Sequence, residues 1–183
     1  MTCIRLLAAA LLAGFLCAAD MTKCECDLSD PAHFDARHCS LCREAEKHPA
    51  EPAIFFLKDV NPRKPNRWLA LPRAHFDGPD GLRTMTPAQR AEFWAAAIAK
   101  ARELWGDDWG LAINGDAVRT QCHLHIHIGK LLQGVETAVN LVVVKGPADI
   151  PVPTDGTGIW VHPANGKLHV HLGELITETV LLR

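Results

Sequence analysis

The sequence predicts an α+β domain: a mainly antiparallel sheet packed by one long helix, with a β-hairpin extension at the C-terminal end. Three observations predict it. Short apolar or alternating runs bounded by Pro, Gly and Asn recur along the chain, as strands require. One long stretch, 87–105, carries apolar residues at steps of three and four, the period of a helix with one buried face. The order of strands, then that helix, then strands again favours an antiparallel sheet over alternating βαβ units. At 183 residues the chain can bury a core as one domain.

Residues 39–48 (Cys-Ser-Leu-Cys-Arg-Glu-Ala-Glu-Lys-His) have helical composition, and Pro49 and Pro52 end that helix. Ile54–Lys58 reads as a strand. The turn Asn61–Asn66, rich in Pro, leads to a second strand over Arg67–Leu71. Thr86 can cap the long helix, Pro87 suits its first position, and Gly106 can end it. The stripe Trp94, Ile98, Ala101 and Trp105 should pack on the sheet. Strands are expected at 109–113, 122–128 and 139–144, followed by a Pro- and Gly-rich loop at 146–158. Asn165-Gly166 is a strong hairpin signal joining Ile159–His162 to Lys167–Leu172. A last strand is expected at about 174–182. This divides the chain into a main domain over 39–145 and a C-terminal β extension over 146–183 packed on it.

The first residues read as a secretory signal. Arg5 supplies the positive start, Leu6 to Leu16 the apolar stretch, and Cys17-Ala18-Ala19 a small-residue cleavage site. The apolar run 6–19 is shorter than the ~20 residues of a comfortable membrane span. We therefore expect a signal peptide over 1–19, an N-terminal arm over 20–38, and a periplasmic or secreted mature protein. Five cysteines follow the cleavage site: Cys24, Cys26, Cys39, Cys42 and Cys122. An exported chain can form disulfides, and an odd count leaves a thiol free or metal-bound. With Lys and Arg at 19 against 21 Asp and Glu, the chain lacks the basic excess of a nucleic-acid binder.

The chemistry concentrates around Cys122-His-Leu-His-Ile-His-Ile128. Alternation with Leu124, Ile126 and Ile128 would set His123, His125 and His127 on one face of a strand, neighbours about 6.5–7 Å apart. Imidazole titrates near neutral pH, so three in register suit phosphoryl or metal chemistry. Asn114-Gly115 ends the previous strand, Leu71-Pro-Arg-Ala-His75 ends another, Gln121 abuts the triad, and Cys39-Ser-Leu-Cys42 lies near the mature N-terminus.

This combination resembles the histidine triad (HIT) superfamily of nucleotide hydrolases and transferases over roughly 39–132. The stretch Arg119-Thr-Gln-Cys-His-Leu-His-Ile-His127 is also similar to the equivalent strand of periplasmic CDP-diacylglycerol pyrophosphatases of that superfamily. The resemblance implies that His125 attacks the α-phosphorus of a nucleotide ester, anhydride or phosphoramidate, forming a nucleotidyl-histidine intermediate. It implies that His127 attends the phosphate or leaving group, that Asn114 orients the phosphate or the ring, and that Gln121 contributes to substrate binding. It further implies a structural zinc on Cys39, Cys42, His75 and His123, a closed Cys2His2 tetrahedron. A Cys39–Cys42 disulfide, or bridges from both to Cys24 and Cys26, is the alternative. Cys24-x-Cys26 can equally pair internally, cross-link to Cys122 or bind metal. The expected partner is a nucleotide-containing small molecule or a lipid-linked nucleotide, not a nucleic acid, with membrane-surface association and a homodimer both compatible.

Two further features stand out. Across the Asn165-Gly166 turn, His162 should pair with His169 and Trp160 with His171 on one face. That face is either solvated, a wall of the substrate site, or a second metal position, although no carboxylate has ligand spacing nearby. Arg63-Lys-Pro-Asn-Arg67 with Arg73 is a solvated turn or a holder of phosphate or lipid headgroups. The rival reading from another class is a periplasmic zinc- or copper-binding module without catalysis.

Overall fold

The computed structural model describes residues 39–76 and 81–183. The expected signal peptide, the arm over 20–38, Cys24 and Cys26 lie outside them. The elements are α1 (Ser40–Lys47), β1 (Ile54–Lys58), β2 (Trp68–Pro72), α2 (Gly81–Thr84), α3 (Pro87–Trp105), β3 (Trp109–Ile113), β4 (Ile126–Lys130), β5 (Leu141–Val144), β6 (Gly158–Ala164) and β7 (Lys167–Glu174). Among the described residues seven strands form one sheet in the order β1-β2-β4-β3-β6-β7-β5. Every neighbouring pair is antiparallel. The fold is α+β, with one long helix. No helix of the described residues is long and apolar enough to cross a membrane.

Local chemistry explains α3. The Thr86 side chain accepts from the Gln89 amide while the Gln89 side chain accepts from the Thr86 amide, a reciprocal capping box with Pro87 in the first turn. Gly106 closes the helix at φ 59°, a left-handed φ that glycine adopts without strain. Phe93, Trp94, Ala97, Ile98 and Ala101 are buried against one sheet face, built from Leu111, Ile126, Ile128, Ile159, Val161 and Val170. Trp94 is thus a core residue.

Cross-strand partners share a face, so the opposite face can be followed row by row. Leu69, His127, Ala112, Trp160 and His171 are successive partners across β2, β4, β3, β6 and β7. The histidines of the triad strand and of the hairpin therefore lie on the same side, away from α3. The hairpin register is the expected one, with Trp160 opposite His171 and His162 opposite His169.

Two expectations change. The triad strand begins at Ile126 rather than 122. Ladder pairing of β2 with β4 ends at Ala70↔Ile126, and two residues on Pro72 has no N–H to offer. Its carbonyl instead takes the His123 ring, Nε2 donating at 2.8 Å. The expected last strand over 174–182 is a 3-10 turn, Thr177–Val180, followed by one isolated bridge, Leu131↔Leu181. The carbonyls that a strand would pair are taken by the buried Arg67 guanidinium, which donates to the oxygens of Glu178 (2.7 Å), Leu181 (2.6 Å) and Leu182 (3.1 Å). Arg67 is therefore a clamp on the C-terminal tail, neither a solvated turn residue nor a phosphate holder.

Candidate functional site

The three triad histidines are buried, His123 completely and His125 and His127 almost so. Only His127 lies within the β4 ladder. Its ring meets that of His125 edge-on, centroids 4.8 Å apart, closer than an ideal strand would set them because 125 precedes the ladder. His125 Nδ1 donates to the His123 carbonyl at 2.8 Å. A carbonyl only accepts, so this bond fixes the proton on Nδ1 and leaves the lone pair on Nε2. Burial lowers the pKa of His125 from its ordinary value near 6.5 to about 4, assisted by Arg119 and His123 and opposed by the carbonyl bond and Glu178. The ring is neutral and nucleophilic at neutral pH.

His127 Nδ1 lies 3.8 Å from Glu178 Oε2. Burial and the neighbouring His125 hold His127 well below its ordinary pKa, although Glu178 pulls the other way. Burial alone would raise the Glu178 pKa, but His127, Lys64 and Arg67 outweigh it and bring it to about 2. Glu178 is thus an anion behind His127, held by Arg67 Nη1 at 2.8 Å and by Lys64. Nothing in the sequence pattern singles it out. Its signal is weak: a lone carboxylate near the C-terminus, more than a hundred residues from the arginine it meets.

Asn114 lies at the end of β3, where the backbone turns away. Its Oδ1 accepts from the Glu178 amide at 3.0 Å and from Thr177 Oγ1 at 3.3 Å. Asn114 thereby caps the 3-10 turn that carries Glu178, and its Nδ2 remains as a donor. Gln121 uses its amide oxygen for Ser40 Oγ at 3.3 Å and the Leu41 amide at 3.4 Å, tying the start of α1 to the segment before the triad. Arg119, also missed, is buried, bonded to Asp116 Oδ1 at 2.8 Å, and close enough to depress His125. Leu82, Ile113, Leu124 and Ile159 line a small cleft of about 30 Å³ with Asn114 and Arg119 at its polar end. A larger groove of about 360 Å³ lies at the far end of α3, between Arg102, Lys145 and Lys167.

Cysteines and histidines gather beside α1. The potential ligand atoms of Cys39, Cys42 and Cys122 lie within 4.8 Å of one another, and so do those of Cys42, His75 and His123. The four expected ligands therefore fall in two overlapping groups that share Cys42, and Cys122 joins them. His123 Nε2 donates to the Pro72 carbonyl and His75 Nε2 bonds Glu46, which leaves Nδ1 of each ring as the ligating nitrogen. The rings meet edge-on at 4.9 Å. The cluster is compatible with a metal. It is also redox-dependent: Cys42 and Cys122 are disulfide-bonded, though not to each other, their sulfurs being 3.8 Å apart, while Cys39 is a buried free thiol. A Cys39–Cys42 disulfide is thereby excluded, and the Cys2His2 set is complete only when Cys42 is reduced. Arg73 binds the His48 carbonyl at 2.7 Å and Glu46, so it braces α1. Compared with known proteins, the chain matches no family model and no curated protein significantly.

Proposed function

We propose that this chain is an enzyme of the histidine triad type, a hydrolase or transferase acting at a phosphorus linked to a nucleotide, with His125 as its covalent nucleophile. The observation that carries the reading is the His125 ring: buried, neutral, and tautomerically set by the His123 carbonyl so that Nε2 holds the lone pair. Nε2 attacks the phosphorus, a P–N bond forms, and the bond to the leaving group breaks. His127, its ring 4.8 Å from that of His125, would attend the phosphate or leaving group, which requires the tautomer with the proton on Nε2. Its Nδ1 makes no hydrogen bond among the described residues, Glu178 being 3.8 Å away. Water or an acceptor then releases the nucleotide. Arg119, whose charge reaches His125, and the Asn114 amide, which lines the same small cleft, would hold phosphate oxygens. At about 30 Å³ that cleft has room for little more than a water, so the base would lie outside it. A CDP-diacylglycerol-like lipid nucleotide is one substrate of this chemistry, and the expected export would put it within reach.

A structural zinc belongs to this reading in the reduced protein, held by Cys39, Cys42, His75 and His123. It would pin the segment on which His125 sits and takes no step in the reaction. The metal-binding module is the second reading, favoured by the shared Cys42 in two ligand groups. His125→Ala separates them. Loss of turnover and of nucleotidylated protein, with fold and metal content unchanged, supports the enzyme. Loss chiefly of metal, with no nucleotide conjugate turned over by the parent protein, supports the module.

A further inference from the structure

The hairpin histidines are not used by that chemistry, yet they are arranged for ligation. His162 and His171 are buried, and their rings lie nearly parallel (17°) with Nε2 atoms 3.4 Å apart. Two imidazole nitrogens on one tetrahedral zinc, each about 2.05 Å from the metal, are separated by ~3.3 Å. His162 Nδ1 is 3.2 Å from the Pro163 carbonyl, so Nδ1 carries the proton and Nε2 the lone pair. Trp160 stacks on His171 at 3.6 Å and 4°, and its indole N–H is tied to Glu174 at 3.0 Å. The ring is therefore preset.

The missing carboxylate comes from a distant part of the chain. Glu136, on the connection from β4 to β5, brings Oε1 to 3.7 Å from His162 Nε2, and His169 Nδ1 donates to the same carboxylate. All three ligand atoms lie within 4.8 Å of one another. A histidine donating to a ligating carboxylate is the usual outer support of a metal site.

We propose that Glu136, His162 and His171 bind a divalent first-row cation, zinc by preference, with a fourth position open and His169 orienting the carboxylate. Two imidazoles and a carboxylate are the donor set of open zinc sites, and exclude a preference for magnesium or calcium, which take oxygen ligands. Along the row His127, Ala112, Trp160, His171 the site is three strand spacings, ~14 Å, from the triad. It is separate from the catalytic histidines and from the cysteine cluster. A metal there fastens the 131–140 connection to the sheet.

The test uses the full-length protein, stripped with chelator and kept oxidised so that Cys42 stays bridged. Zn2+ is titrated by calorimetry, bound metal is counted by mass spectrometry, and Co2+ serves as the spectroscopic probe. The expected result is one equivalent with nitrogen and oxygen ligation and no sulfur-to-cobalt charge-transfer band. His171→Gln should lose that equivalent, and Glu136→Gln should weaken binding at least ~10-fold. Glu136 is half-exposed, so its variant decides the matter if His171→Gln fails to fold. Equal affinity and stoichiometry in parent and Glu136→Gln, or cobalt bound only through sulfur, would overturn the site and leave a hydrogen-bonded histidine pair.

Discussion

At the scale of single residues, His125 and Glu178 do opposite electrostatic work. His125 is kept neutral by burial, whereas Glu178 is kept charged by Lys64 and Arg67. Under the proposed reaction His125→Ala should lower turnover by ~10³-fold or more, since it would remove the attacking atom, while circular dichroism stays unchanged. Glu178→Gln leaves the buried Arg67 guanidinium without its counter-charge. It should cost ~1–3 kcal/mol by denaturant melts, less than a fully buried pair because the carboxylate is partly accessible. Retained stability in Glu178→Gln would show that the carbonyls of 178, 181 and 182 suffice to hold Arg67. The triad was legible in the sequence because its residues are adjacent and its pattern is local. Glu178, Arg67 and Glu136 were not, because each gains its role from contacts made by folding over long chain separations.

At the scale of elements, helix α3 and the Asn165-Gly166 hairpin appear as the sequence predicts, since caps, periodicity and turn chemistry are all local. The tail does not. Leu175 to Leu182 looks like a strand by composition but lies across the histidine face as a strap. Its seat is a cross-strand pair of glycines, Gly110 opposite Gly129. A Cβ on Gly110 would come within 2.6 Å of Leu181 Cδ2, and one on Gly129 within 3.2 Å of Leu181 Cβ. Gly110→Val should therefore lift the strap at a cost of ~1–3 kcal/mol, visible as faster proteolysis at the C-terminus. Unchanged proteolysis would mean that Arg67 alone anchors it. Gly129, where a side chain would press on Leu181, is explained by this seat. Thr86→Ala should cost about 1 kcal/mol through loss of the α3 cap, a control confined to the far face of the sheet.

At the scale of the whole molecule, one face of the sheet carries the core and the other carries the histidines. Four buried histidines, His125, His127, His162 and His171, have pKa values lowered in the folded state. The unfolded chain then binds more protons than the folded one between about pH 4 and 6.5. Stability is therefore complete above about 6.5 and falls as pH drops through that window. His125 alone, lowered from 6.5 to about 4, contributes on the order of 3 kcal/mol. Melts of metal-free protein should lose ~10 °C between about pH 7 and 4.5; a flat Tm over that range would contradict buried neutral imidazoles. The α+β class was readable from element order, but the grouping of histidines by face required the strand register.

The proposed attack of His125 Nε2 on phosphorus would leave a P–N adduct that can be trapped. The protein is quenched in alkali, which preserves phosphoramidates, during turnover of labelled nucleotide conjugates, lipid-linked CDP among them, and peptides are mapped by mass spectrometry. A nucleotidyl group on His125, absent in His125→Ala, is the expected result. Turnover with no adduct, or an adduct that persists in His125→Ala, would contradict it.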